Sequence, residues 1–128
     1  GIFQASPTDF AVGSALLIQP GDVRTETFLV AFENGQFVAK AINMGGESDQ
    51  VFLILFGTGI RGRNKQNPVT ATVGGEPATV TYADDQVQFV GLDQIVMQVS
   101  RALIGRGLVD VVITVDGKTA NTVKVNFQ

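Results

Sequence analysis

VFLILFGTGIRG, residues 51–62, decides the fold, because its two halves point to different kinds of protein. Gly57, Gly59 and Gly62 spell G-x-G-x-x-G directly after an apolar run. In nucleotide-binding folds such glycines let the backbone approach a pyrophosphate, and the amides of a following helix face its charge. That reading depends on the helix. The residues after Gly62 are RNKQNPVTATVGGEP, polar and then alternating, with Pro68 six residues beyond Gly62 and no apolar stripe of period 3.6. No helix can be drawn there, and without one Asp84 and Asp85, loosely placed for a ribose anchor, lose that meaning. The glycines are expected to shape a turn between two strands and to bind no nucleotide. VFLILF is apolar on both faces, which predicts a central strand covered on each side.

Short apolar alternations continue in both directions from this strand, punctuated by 15 glycines. Strands are expected near 3–6, 12–18, 25–32, 36–42, 51–56, 69–73, 78–82, 86–89, 94–99, 108–114 and 119–127. The stretch 92–103 is ambiguous, but Ile95, Met97 and Val99 alternate, so it reads as strand. Eleven short strands in 128 residues predict an all-β fold, an immunoglobulin-like antiparallel β-sandwich with extra N-terminal strands. Residues 1–128 show no composition break and no internal repeat, so one domain is expected.

Turn chemistry sharpens the register. A two-residue loop at Asn34-Gly35 sets Phe32 against Phe37, Val30 against Ala39 and Phe28 against Ala41, a consistent type I′ hairpin. The same loop at Asp116-Gly117 would pair Val111 with Thr122 and Val109 with Lys124. A three-residue loop, Val115-Asp116-Gly117, restores the parity and sets Val109 against Val123 and Thr114 against Lys118. Gly74-Gly75-Glu76-Pro77 is expected to join two strands with Val73 opposite Ala78 and Ala71 opposite Val80.

Composition excludes several functions. Net charge is -3 with both signs scattered, so there is no basic face for nucleic acid, and no apolar run approaches a membrane span. With no cysteine and no histidine, thiolate metal sites and the usual nucleophilic triads are absent. No cofactor is expected, and the chain reads as non-enzymatic. Asp84, Asp85 and Asp93 form the one acidic cluster; they are calcium candidates, or else turn residues satisfied by local hydrogen bonds. The basic run at 61–65 reads as an exposed turn. Tyr82 and most of the nine Phe fall on inferred apolar faces and are expected in the core.

Four blocks carry a resemblance: FGTGIRG, VTATVGGEPATVTYA, QFVGLDQIVMQV and GRGLVDVVITVDGKTANTVKV. In order and spacing they are similar to the uncharacterised Solibacter-type C-terminal domain of large secreted acidobacterial proteins, within the wider group of IPT/TIG-like immunoglobulin sandwiches. The resemblance covers the portion 51–127. It implies an immunoglobulin-like fold and an extracellular or cell-surface location, and it brings no catalytic residue. Ala83-Asp84-Asp85-Gln86 departs from the glycine-proline turn more usual in that family.

Two functions are expected from these readings. The first is a structural or adhesion module whose partner is itself, assembling a surface filament by strand addition. The alternative is an accessory domain for an extracellular polymer such as polysaccharide. The segment 1–18, with Phe3, Phe10, Val12, Leu16 and Leu17, is the candidate donor strand. It either pairs with its own sheet or adds to the edge of a neighbouring subunit. The chain starts at Gly1 without Met, which suggests a processed segment.

Overall fold

A computed structural model of the chain describes residues 1–60, 68–85 and 92–128, the side chain of Asp85 excepted. Its strands are β1 (Gly13–Gln19), β2 (Val23–Phe28), β3 (Val30–Glu33), β4 (Gln36–Ala39), β5 (Ala41–Ile42), β6 (Gln50–Gly57), β7 (Thr70–Val73), β8 (Glu76–Asp85), β9 (Asp93–Gln98), β10 (Gly107–Val115), β11 (Lys118–Thr119) and β12 (Val123–Phe127). A 3-10 turn covers Arg101–Leu103. The chain is all-β, as expected. The strand proposed at 86–89 and the basic run at 61–65 lie outside the described residues.

Alternation in β6 organises the core. Val51, Leu53 and Leu55 point inward and are no more than 2% exposed, whereas Phe52, Ile54 and Phe56 point outward and are half-buried. β6 is central, flanked by β1 and β9, and both pairings are antiparallel. The hydrogen-bonded path runs β2-β1-β6-β9-β8-β7-β10-β12-β5, with β11 on β10 and a separate β3-β4 hairpin. β8 belongs to both halves of this path: it pairs with β7 through Glu76, Pro77 and Ala78, then with β9 from Thr79 onward. The sheet therefore curls through a shared strand, β-sandwich-like and nearly barrel-shaped. Inward residues of both halves, such as Leu53, Ile95 and Met97 on one and Val73, Val111 and Val125 on the other, make one core. Each such side chain contributes about 1.5–3 kcal/mol by leaving water.

The aromatic residues do not follow the expected pattern. Of the Phe in the described residues only Phe127, at 2%, is buried; Phe3, Phe28 and Phe32 are exposed, and Tyr82 is 38% exposed. For Tyr82 the cause is a bulge between Val80 and Tyr82 on β8, which shifts the alternation by one so that Ala83 takes the inward position. In β6 and β2 the Phe occupy the parity opposite to the aliphatic core residues.

Three hairpins differ in detail from the expected register. Asn34-Gly35 is the expected two-residue turn, with φ of 51° and 79° and Phe32 opposite Phe37. Phe28, however, pairs with Ser14 and Ala41 with Asn126, because the chain leaves β1 at Leu29, whose side chain drops into the core at 1% exposure. Gly74-Gly75 forms a two-residue loop with both φ positive, so Val73 faces Glu76 and Ala71 faces Ala78. Pro77 then sits opposite Thr72 in a non-hydrogen-bonded pair, where its missing N–H costs the ladder nothing.

Asp116-Gly117 is also a two-residue loop, φ 53° and 74°, with Val115 opposite Lys118. The parity mismatch is corrected further along. Ala120 still bonds to Ile113, but Val123 faces Val111, so one extra residue is taken up at Asn121 and Thr122.

That bulge aims Asn121 at the start of the chain. Its Oδ1 accepts from the Ile2 N–H at 2.8 Å and its Nδ2 donates to the Ile2 carbonyl at 2.8 Å, as a neighbouring strand would. Further bonds hold the segment 1–12: Phe3 N–H to the Phe56 carbonyl, Val12 N–H to the Phe3 carbonyl, Ala11 N–H to the Lys124 carbonyl and Lys124 N–H to the Asp9 carbonyl. The strand expected at 3–6 is not formed; the segment makes isolated bridges instead, Ile2 to Gly57 of β6, Gln4 to Ala11 and Phe10 to Lys124 of β12. Asn121→Ala should strand both polar groups of the nearly buried Ile2 and cost about 1–3 kcal/mol. Urea unfolding measures the loss, and faster amide exchange at Ile2 locates it.

Candidate functional site

The glycine turn at the end of β6 is engaged by the protein's own chain. A Cβ on Gly57 would lie 2.3 Å from the Gly1 carbonyl oxygen, so this glycine admits the N-terminal segment, which bridges to it through Ile2. Gly59 turns the chain with φ +80°. Ile60 returns to the core at 2% exposure, and its N–H donates to Asp93 Oδ2 at 2.8 Å. Asp93, itself 2% exposed, opens β9 directly opposite Gly57. A turn at 57–60 agrees with the reading of the sequence; Gly62 lies outside the described residues. Beside the turn a cavity of about 340 Å³ opens toward the β10-β11 hairpin, with Thr58, Ile60, Val115 and Lys118 in its lining.

The calcium candidates share this end of the sheet. Asp84 is the cross-strand partner of Gln94 and Asp85 that of Asp93. The Asp93 carboxylate is held on the Ile60 amide, and the side chain of Asp85 lies outside the described residues. Among the described residues no three metal-ligating side chains come together.

Elsewhere the polar side chains also hold backbone in place. Arg101 donates to the carbonyls of Met44 and Asp49 at 2.9 Å and of Gly45 at 3.3 Å, and Asp49 Oδ2 accepts the Gly46 N–H at 2.7 Å. Arg101 and Asp49 thereby clamp the loop between β5 and β6. Lys124 forms an ion pair with its cross-strand partner Asp110. The hydrogen bond to Asp110, with the charges of Asp110 and Asp9, holds the Lys124 ammonium above its ordinary pKa.

The outward face of the β2-β1-β6-β9-β8 half is the reverse case. Cross-strand partners set Phe28, Ser14, Ile54, Val96 and Tyr82 in one row. The next row holds Glu26, Leu16, Phe52 and Gln98. Four strand spacings make the first row about 19 Å long. Of its end residues, Phe28 is 79% and Tyr82 38% exposed. Phe28 belongs to β2, which is exposed along all six residues and has no further strand on its outer edge among the described residues. The β3-β4 hairpin carries a second aromatic pair, Phe32 and Phe37, with ring centroids 5.0 Å apart.

The five assembly candidates are not gathered on one surface. Leu17 is in the core, Leu16 lies in the outward rows, and Phe10 and Val12 are half-buried where the N-terminal segment crosses to β12. Phe3 is 39% exposed beside β6. Sequence reasoning missed Asn121 and Arg101, whose roles depend on distant backbone. It also missed the outward rows, although their signal was present in VFLILF, apolar at both parities.

Comparison of the chain with protein-family models, with curated proteins and with solved structures found no match.

Asp93→Ala should leave the Ile60 amide without this acceptor and lower stability by about 1.5–3 kcal/mol. Gly59→Val should also destabilise, by forcing a β-branched residue to positive φ. Chemical denaturation checks both. Calorimetric titration of the intact chain with NAD and ATP should show no saturable heat.

Proposed function

We propose that the chain is a non-enzymatic, immunoglobulin-like structural or adhesion module that works at the cell surface or beyond it by associating with copies of itself. One observation carries this reading: on the outward face of the β6 half Phe28, Ile54, Val96 and Tyr82 share one row, part-exposed and interrupted by the buried Ser14. Meanwhile Asp93, Asp49, Arg101 and Asn121, the polar side chains best placed for chemistry, bind backbone. Apolar side chains left part-exposed on the outer face of a sheet mark interaction sites. The extracellular placement rests on the resemblance to secreted domains.

Strand addition by the segment 1–18 would require it to leave its bonds to Phe56, Lys124 and Asn121. The folded chain's own contacts are therefore sought on the outward face. A second reading, an accessory domain for an extracellular polymer, is favoured by the same row, since aromatic side chains stack on sugar rings.

Sedimentation velocity and negative-stain microscopy of the intact chain should show concentration-dependent assembly. Ile54→Lys places a charge mid-row while its stem can still lie along the sheet. It should abolish that contact and keep the melting temperature within a few degrees. A wild-type chain that stays monomeric at high concentration would sink self-association. Cosedimentation of that monomer with insoluble polysaccharide, lost in Ile54→Lys, would instead support the second reading.

A further inference from the structure

The geometry points to β2 as a pairing edge whose partner is β2 of a second copy of this chain, antiparallel and centred on Thr25. The inference rests on the self-association reading and deepens it by naming one contact, and its test is isolated from the apolar face.

The register follows from the ladder already present. Leu29 N–H bonds to the Gly13 carbonyl, so that pair, and every second pair of the β1-β2 ladder after it, is hydrogen-bonded. Val23, Thr25 and Thr27 thus turn their main-chain groups toward β1. The N–H and C=O groups of Arg24, Glu26 and Phe28 point away from it, along the outer edge. A second β2 can complete a ladder only by matching these outward residues with outward residues of its own.

Two long registers satisfy this. One sets Glu26 against Glu26 of the copy and Arg24 against Phe28, opposing like charges. The other has its two-fold axis at Thr25 and sets Arg24 against Glu26 of the copy and Glu26 against Arg24 of the copy. It forms about four main-chain hydrogen bonds and two ion pairs. Existing contacts permit it: Arg24 gives its Nε to Asp22, and Glu26 accepts from Ser14 Oγ through Oε2. The terminal guanidinium nitrogens and Oε1 remain to meet across the axis.

Edge strands are often protected by charge, and a run of one sign would block this pairing. Here the two charges alternate so that the strand is complementary to itself when reversed.

The experiment uses the intact chain carrying Ile54→Lys, so that the apolar face contributes nothing. Arg24→Glu and Glu26→Arg should each lose the dimer, with dissociation constants raised roughly tenfold or more. An equimolar mixture of the two should recover it as a heterodimer, because each outward charge again meets its opposite. The chain has no cysteine, so Thr25→Cys introduces a sole thiol. Across the axis the two Thr25 form a non-hydrogen-bonded pair with Cα atoms about 4.5 Å apart, within disulfide reach. Thr25→Cys should cross-link on mild oxidation. Thr27→Cys, whose two copies would sit about 13 Å apart, should not. Three results overturn the proposal: monomers throughout, a mixture no tighter than its components, or Thr27→Cys cross-linking as readily as Thr25→Cys. If the edge dimer forms but no larger assembly appears without Ile54→Lys, the filament reading fails and the edge stands.

Discussion

The outer edge of β12 has to be covered, and much of the molecule follows from how this is done. Val123, Val125 and Phe127 are core residues, so an uncovered row of amides and carbonyls beside them would let water into the interior. The chain covers the edge piecewise. Asp9, Phe10 and Ala11 bind at Lys124, and β5 continues alongside Asn126 and Phe127. For the N-terminal segment to arrive there it must first pass over the end of β6, which requires a glycine at 57, and an acceptor and donor for Ile2, which Asn121 supplies. The Gly57 turn, anchored by Asp93, and the bulge at Asn121 thus serve one crossing.

That dependence explains why some of the structure could be read from the sequence and some could not. Alternation reports which face a residue occupies, and so it gives register only to within two residues. The all-β class and the central place of 51–56 followed from it. For Val73 and Ala71 the faces were right, but the partners moved by two when Gly74-Gly75 took the tighter loop. At Asp116-Gly117 the parity conflict was genuine, yet a bulge can absorb it anywhere along the return strand. It lies at Asn121 because Ile2 is there to be bound. A contact across 119 residues of sequence leaves no local pattern.

The aromatic residues show the same limit from another side. A half-buried outward Phe52 and a buried inward Leu53 are equally apolar in sequence, and only the curl of the sheet separates them. Among the described residues the core is filled mainly by aliphatic side chains, and the rings other than Phe127 are half-buried or exposed. Burying a ring is worth more than burying a valine. Rings at the surface of a sheet therefore leave stabilisation unclaimed by the isolated chain, which association can recover.

The two surface features differ in what they can build. An edge that is complementary to itself is isologous: it joins two chains about a two-fold axis and is then used up. The outward face can pair with its own copy in the same way. Since the outer edge of β2 and the row through Ile54 and Val96 are separate places on one subunit, their axes do not coincide. Two isologous contacts with distinct axes alternate along an open chain of subunits, whereas either one alone stops at a dimer. On this geometry a filament would need no released donor strand, and the N-terminal segment could stay where it covers the edge of β12.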